Sequence, residues 1–302
     1  MKERVFLSSF VIKIIALVTM IIDHLAVFLD ASAVISISYP LYFTMRIIGR
    51  IAFPLYLFCI YEGMKHTHNK LKYISRLAIM AGIIYLVIAF INFPFLNIGI
   101  NSSIFIMNVG NVFVDLTLSA LFIYLIEHKN KYLRYLSILP LLYLIGCGFL
   151  KYFRINTIEP GTYHFLYDGL LSQFDFITVL LIVLFYFGVI IFNKSCLKIF
   201  DNDEELFNEF KKTTNYRFRI NAIISISIVL VSVICYLVGR FSNIPLLSTY
   251  MDYEIESYIV LAIFFVLWYN GKLGLSNKIV KYGFYLSYPL HLLILFLIFS
   301  LI

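Results

Sequence analysis

Charge is scarce in this sequence: only 14% of its 302 residues are Asp, Glu, Lys or Arg, whereas 62% are hydrophobic. Soluble domains contain about a quarter charged residues and about half apolar residues. The shortage of charge therefore excludes an ordinary soluble domain. Apolar runs of about 18 residues or more, the length of a membrane-spanning helix, recur along the whole chain.

Cysteine is also scarce, and regular alternation of apolar and polar residues is missing. The four cysteines, Cys59, Cys147, Cys196 and Cys235, are scattered and form no C-x-x-C pair. This spacing favours small core residues over disulfides or metal ligands. A transmembrane β-barrel would need alternating segments of about ten residues, which this chain does not have. We therefore predict an all-α, polytopic transmembrane helical bundle that forms one domain over residues 1–302.

The apolar runs predict about nine spans, each near the roughly 20 residues that a bilayer core requires. They fall approximately at 5–29, 41–63, 77–93, 108–126, 135–150, 174–192, 220–239, 255–269 and 283–302.

The loops between these spans alternate in charge. Most of the 24 lysines and arginines lie in the N-terminal segment and in 64–76, 127–134, 193–219 and 270–282. The positive-inside rule therefore predicts a cytoplasmic N-terminus and an external C-terminus. The net charge of +7 reflects this topology, and we expect no nucleic-acid partner.

The first span contains three ionisable residues, Lys13, Asp23 and His24. Each costs at least about 2.5–3.5 kcal/mol at membrane depth, so such residues usually serve a function. Lys13 and His24 are predicted to share one helix face, about 20° apart around the axis and roughly 16 Å apart along it. A buried histidine beside a carboxylate can act as a general base. The alternative is a structural hydrogen-bond network between helices.

Further ionisable residues are predicted at the same outer level of the membrane. Arg46 and Arg50 share a face of the second span, Asp115 falls in the outer half of the fourth span, and Asp175 lies at the outer end of the sixth. Pairing of these arginines with Asp115 or Asp175 is predicted, and both a structural and a functional role stay open. His291 lies near the middle of the last span.

The predicted cytoplasmic turn YEGMKHTHNKLKYISR, residues 61–76, is rich in cations and hydrogen-bond donors. Such a turn suits a phosphate-rich ligand, although any positive-inside loop has a similar composition. His66 and His68 do not share a helix face and have no third ligand nearby, so no metal site is predicted.

Three blocks resemble the TraX family of bacterial membrane proteins: LVTMIIDHLAVFL, MRIIGRIAFPLYLFCIYEGMKHTHNKLKYISRLAI and NGKLGLSNKIVKYGFYLSYPLHLLIL. The resemblance implies transfer of an acetyl group from cytoplasmic acetyl-CoA, and the founding member is linked to N-acetylation of pilin. The Lys13-x10-His24 spacing is similar to the Arg/Lys-x10-His signature of other membrane acyltransferases, in which the histidine is taken as catalytic.

The family pattern falls on a defined set of residues: Asp23, His24, Arg46, Arg50, Glu62, Thr67, Asn69, Tyr73, Arg76, Tyr288 and His291. Two features depart from it. Asp115 stands where relatives carry an uncharged residue, and Leu25-Ala26 follows Asp-His where relatives often have glycine.

These observations predict an acetyl-CoA-dependent transmembrane acetyltransferase in a bacterial inner membrane. His24, oriented by Asp23, would be the general base, and Arg46 and Arg50 would stabilise the oxyanion or the aspartate network. The residues predicted to bind acetyl-CoA are Lys13, Glu62, Thr67, Asn69, Lys70, Tyr73 and Arg76. Those predicted to bind the acceptor are Asp115, Asp175, Tyr288 and His291.

Two other functions stay open at this point. A transporter or lipid flippase would use the charges to line a path, and a pilin or envelope assembly partner would need no catalysis. The external acceptor, an amine or hydroxyl of a glycan, polymer or pilin-like protein, is not identified by the sequence.

Overall fold

A computed structural model of the chain describes residues 7–31, 37–91, 110–157, 169–241 and 252–301. Within these ranges the regular structure is helical, with one isolated bridge between Leu7 and Tyr269. The helices in chain order are α1 (Ser9–Ala31), α2 (Tyr39–Gly49), α3 (Ala52–His66), α4 (Lys70–Ile91), α5 (Val112–Ile126), α6 (Lys131–Tyr135), α7 (Ile138–Thr157), α8 (Asp175–Ile199), α9 (Glu204–Lys211), α10 (Thr214–Phe241), α11 (Tyr253–Glu256), the 3-10 helix Ser257–Ala262, α12 (Ile263–Leu267) and α13 (Lys278–Leu301).

Six stretches of the described chain are long and apolar enough to cross a membrane. They are Ser9–Asp30, Tyr39–His66, Lys131–Lys151, Asp175–Ile199, Thr214–Phe241 and Lys278–Phe299. The all-α, multi-pass membrane fold predicted from the apolar runs is thereby confirmed.

The number of nine spans stays a prediction, and two of the other three runs are shorter or less regular than a membrane-spanning helix. The helix Val112–Ile126 has 15 residues, which is short for a bilayer core. Segment 255–269 is divided among α11, the 3-10 helix and α12. The predicted span 77–93 continues past α4 into residues 92–93, outside the described ranges.

The core of the bundle lies where α1, α3, α5, α8 and α10 meet. Helix α1 packs against α2, α3 and α13, and α3 packs against α5 and α8. Phe58, Phe122 and Phe185 are at most 2% exposed at this centre. The four cysteines are also buried, as their scattered positions predicted.

Contacts bring the basic loops together at one end of the bundle. The backbone N–H of Leu7 donates to the carbonyl of Trp268 at 2.7 Å. Lys65 pairs with Glu127, and Arg217 pairs with Glu62 at 2.8 Å. We call this end, which holds residues 62–76, 127–134, 211–219 and 268–281, the basic end. Its loops are those that the charge pattern assigned to one side.

Candidate functional site

A buried cluster of four charges links α1 to the junction of α2 and α3. Arg46 Nη1 donates to Asp23 Oδ1 at 2.8 Å, and Arg50 Nη2 donates to both oxygens of Asp23 at 2.7 and 2.8 Å. Arg50 Nη1 also pairs with Glu256 on α11. The two arginines share one face as predicted. However, the prediction that they pair with Asp115 or Asp175 is wrong: Arg46 pairs with Asp23, and Arg50 pairs with Asp23 and Glu256.

Glycine at position 49 lets Asp23 reach this cluster. A Cβ atom on Gly49 would lie 2.3 Å from the Cβ of Asp23 and 2.4 Å from its Oδ1. Helix α2 can therefore approach α1 this closely only without a side chain at this position.

Replacing Gly49 with alanine is expected to lower the free energy of unfolding by about 2 kcal/mol or more, because the added methyl group overlaps Asp23. Gly82→Ala is the matched control, since a Cβ there would meet nothing within 4 Å. Alanine is preferred over glycine in a helix by up to about 1 kcal/mol, so the control should not be destabilised. Thermal unfolding of both variants in one detergent measures the difference. Equal unfolding temperatures would contradict the close approach.

His24 is paired with a second histidine from the last helix. Its Nδ1 lies 2.6 Å from Nε2 of His291, and Nδ1 of His291 lies 2.8 Å from the carbonyl oxygen of Ser287. The ring of Tyr288 meets both imidazoles edge-on, at centroid distances of 5.9 and 5.4 Å. The expectation that Asp23 orients His24 is therefore corrected: Asp23 binds the arginines, and His291 is the hydrogen-bond partner of His24.

Lys13 and His24 lie on one face of α1, as their spacing predicts. Lys13 Nζ lies 5.9 Å from the ring centroid of Phe284, and His24 contacts His291. Both of these partners belong to α13.

Asp115 and Asp175 form a separate cluster at the end of the bundle opposite the basic end. Asp115 accepts hydrogen bonds from the backbone N–H of Gln173 at 2.6 Å and from the hydroxyl of Thr178 at 2.5 Å. Asp175 pairs with Lys151 at 2.9 Å. Both aspartates are fully buried. These bonds fix the start of α8 against α5 and α7, which is a structural role rather than the predicted acceptor contact.

A cavity of about 410 Å³ opens among the residues of the basic end. Along α3 its lining runs from His66 to Tyr56, which at 1.5 Å per residue is about 15 Å of depth. Its inner wall includes Phe113 and Tyr288, whose rings meet at 5.3 Å. Because Tyr288 also touches His24, the cavity ends beside the histidine pair.

Most residues predicted to bind acetyl-CoA line this cavity, namely Lys13, Glu62, Thr67, Tyr73 and Arg76. The other two have structural partners. Lys70 pairs with Glu127 at 2.6 Å, and Asn69 accepts a hydrogen bond from the backbone N–H of Lys72 at the start of α4. Of the residues predicted to bind the acceptor, Tyr288 lines the cavity and His291 lies behind it.

Three cations face the cavity without a counter-charge. Among the described residues Lys13, Arg76 and Lys281 have no acidic partner within 4 Å. Glu62, the acid in the lining, is held by Arg217 at 2.8 Å and lies 3.4 Å from His66. The net positive charge of this part of the cavity favours an anionic ligand.

Lys281 and Glu256 are site residues that the sequence predictions missed. Lys281 is one of several lysines in a basic loop, so nothing distinguishes it before folding. Glu256 lies in the predicted span 255–269, where the rule that an intramembrane acid is functional or paired would have selected it.

A pH-dependent contact lies at the basic end, between Glu127 and the lysines Lys65 and Lys70. Burial raises the pKa of Glu127, but hydrogen bonds and charge from Lys65 and Lys70 outweigh it, so that this pKa lies below its ordinary value. A lowered carboxylate pKa stabilises the fold above the unfolded pKa of about 4.3, and the effect is lost as pH falls through the folded pKa. Glu127→Gln is therefore expected to lower the free energy of unfolding by about 1 kcal/mol at pH 7. At a pH below the folded pKa of Glu127, the substitution should leave the free energy of unfolding unchanged. Unfolding of the wild type and the variant at pH 7 and at the acidic pH tests this expectation. A stability difference that does not change with pH would contradict it.

Comparisons with known proteins agree with the family resemblance. A family model described as TraX protein matches residues 8–198. The chain is also similar to a protein named probable fimbrial assembly protein FimC, serogroup H1, from Dichelobacter nodosus, with 34% identity over 77 residues. This match covers 26% of the chain and 30% of the relative's length. No solved structure matches the chain.

Proposed function

The chain belongs to the TraX family, and we propose that it is an inner-membrane acetyltransferase that moves an acetyl group from cytoplasmic acetyl-CoA to an external acceptor. One observation carries the proposal. The cavity begins among cations that have no acidic partner within the described part of the chain, and it ends at Tyr288, beside the buried His24–His291 pair. A donor with an anionic head and a narrow reactive arm fits this arrangement.

The cations suit the phosphates of the donor. Lys13, Arg76 and Lys281 supply charge, and arginine in particular forms paired hydrogen bonds with phosphate. Ligand pockets commonly measure about 300–1000 Å³ and are largely apolar, and the cavity of about 410 Å³ falls in this range. Its depth of about 15 Å is of the same order as an extended pantetheine arm.

His24 has the position of a general base. Deprotonating an acceptor hydroxyl or amine as it attacks a thioester is work that a histidine can do near neutral pH. Arg50 binds both Asp23 and Glu256, so holding the acidic network is favoured for it over stabilising the oxyanion. Arg46 binds Asp23 through Nη1, while its buried Nε has no hydrogen-bond partner among the described residues, so both roles stay open for Arg46.

The proposed topology has the basic end in the cytoplasm, where acetyl-CoA is made. The alternating loop charges support this orientation through the positive-inside rule. The acceptor would then reach His24 from the external side.

A second candidate function is assembly of surface fibres without catalysis. The similarity to a protein named as a probable fimbrial assembly protein favours it. A pilin-like acceptor would reconcile the two candidates, because an acetylated subunit would itself be part of such a fibre.

Labelled acetyl-CoA separates these functions. Inverted membrane vesicles from the source cells expose the basic end to added [14C]acetyl-CoA. The acetyltransferase proposal expects label in material that remains covalently modified after denaturation, and only when the chain is present. Chain-dependent assembly without label would favour the assembly function. Uptake of substrate without acetyl-CoA would favour a transporter or flippase.

Arg76→Ala and Lys281→Ala are each expected to raise the KM for acetyl-CoA about tenfold, as a lost charge-assisted contact of about 1.5 kcal/mol predicts. The turnover rate should change little, because neither cation contacts the histidine pair, whose partners are each other, Ser287 and Tyr288. Lys70→Ala is the matched control: Lys70 lies in the same turn but pairs with Glu127 outside the cavity. Initial rates against acetyl-CoA concentration measure the effect. An equal KM change in the control would contradict the assignment of the anion site.

A further inference from the structure

The geometry points to His291 as the positioning residue for His24: it fixes the tautomer of His24, so that Nε2 is the nitrogen that accepts the proton of the acceptor. This inference rests on the proposed acetyltransferase function and assigns His291 a role different from the acceptor contact expected from the sequence.

The two imidazole rings lie in one plane and meet edge to edge. Their planes differ by 4° and their centroids are 4.9 Å apart, yet the two nearest nitrogens are only 2.6 Å apart. Two stacked rings cannot bring atoms this close, so the imidazoles lie edge to edge in one plane. The contact is therefore an in-plane hydrogen bond with near-ideal direction.

The partners of the two histidines determine which ring nitrogens carry hydrogen. The carbonyl oxygen of Ser287 can only accept, so Nδ1 of His291 must carry the hydrogen in their 2.8 Å contact. In a neutral His291 the other nitrogen, Nε2, is then the acceptor. The hydrogen in the 2.6 Å contact consequently belongs to Nδ1 of His24. Nε2 of His24 is left with a free lone pair.

Asp23, the carboxylate that would orient the histidine in a conventional catalytic triad, is occupied by the two arginines. Its Oδ1 accepts from Arg46 and Arg50, and its Oδ2 accepts from Arg50. His291 therefore replaces a carboxylate as the group that orients the base. A neutral partner makes His24 a weaker base than a carboxylate would.

Tyr288 connects this pair to the cavity. Its ring stands at 84° to that of His24 and at 87° to that of His291, and it lines the inner wall. The edge-on packing restricts rotation of both imidazoles, so the free nitrogen of His24 keeps one direction.

In the proposed transfer, His24 carries the proton of the acceptor to the departing thiolate. The acceptor oxygen or nitrogen bonds to the acetyl carbon as its proton passes to Nε2 of His24, and the carbon–sulfur bond of the thioester breaks. The imidazolium charge is shared through the Nδ1–H bond to His291, which strengthens when charged. The proton moves on to the departing thiolate, giving free CoA and neutral His24.

Two substitutions of His291 test the inference in the vesicle assay with [14C]acetyl-CoA. In His291→Gln the amide oxygen can still accept from His24, whereas in His291→Leu no acceptor remains. We expect His291→Leu to lower the rate at saturating acetyl-CoA about 100-fold or more, with KM unchanged. The rate of His291→Gln should be at least about tenfold higher than the rate of His291→Leu. Nitrogen-15 NMR of histidine-labelled protein in nanodiscs should show His24 protonated at Nδ1 in the wild type.

The outcomes separate the inference from the proposed function. No label transfer by the wild type would contradict the acetyltransferase itself. Transfer by the wild type with full activity in His291→Leu, or with equal loss in the leucine and glutamine variants, would overturn only the role of His291. Binding of acetyl-CoA by each variant reports that it is folded. His24 protonated at Nε2 would also overturn the inference.

Discussion

Replacing His24 with alanine is expected to lower acetyl transfer by about 10²–10⁴-fold, the usual contribution of a positioned general base. The protein should stay folded and bind acetyl-CoA, because His24 is not in the cavity lining or in the buried ion cluster. The measurement is [14C]acetyl transfer in inverted vesicles, normalised to the amount of chain in the membrane.

His68→Ala is the control for this experiment. His68 is exposed at the basic end and does not line the cavity. Its loss should leave the rate unchanged. If the His24→Ala protein binds acetyl-CoA and transfers acetyl at the wild-type rate, His24 is not the general base.

Asp23→Ala is expected to destabilise the protein by about 3–5 kcal/mol, because removing one member of a buried ion pair leaves its partners uncompensated. Asp23 is 7% exposed and binds two arginines, Arg46 and Arg50. Unfolding in a mixed detergent, followed by loss of helical circular dichroism, measures the change.

The double variant Asp23→Asn/Arg50→Met provides the sharper test. It removes one charge of each sign, so it should cost less than the sum of the two single substitutions. Glu209→Ala is the negative control, since the Glu209–Lys212 pair is 71% exposed at both residues and such pairs contribute little. Stability of Asp23→Ala equal to that of the wild type would show that the cluster does not hold α1 against α2.

The sequence predicts those parts of the site that depend on a single helix. The 3.6-residue repeat places Lys13 and His24 on one face, and the structure has both facing α13. The same repeat places Arg46 and Arg50 together, and both reach Asp23. Composition alone gives the multi-pass helical fold, because the lipid environment allows few alternatives.

Partners from distant parts of the chain could not be predicted in this way. His291 and Glu256 reach their partners only through the packing of α13 and α11 against the other helices, and no local pattern encodes that packing. The predicted depth in the membrane groups Asp115 with the arginines, but Asp115 binds Gln173 and Thr178, whereas the arginines bind Asp23 and Glu256. Depth is a one-dimensional coordinate, so it cannot assign partners within a layer.

Segment 255–269 shows the same limit. Its hydropathy is that of a span, yet the helical stretch there covers only residues 253–267, contains a 3-10 portion, and carries Glu256, which pairs with Arg50. A tertiary ion pair thus accompanies a local structure that the apolar pattern does not predict.

The central claim is that the cavity holds acetyl-CoA with its thioester beside His24. A cryo-electron microscopy structure with a non-transferable thioether analogue of acetyl-CoA tests it most directly. The account predicts phosphate density beside Lys13, Arg76 and Lys281, an arm along α3, and the acetyl group against Tyr288 on the side of His24. An analogue bound outside the cavity, or a cavity filled by a lipid chain while the analogue is present at saturating concentration, would contradict it.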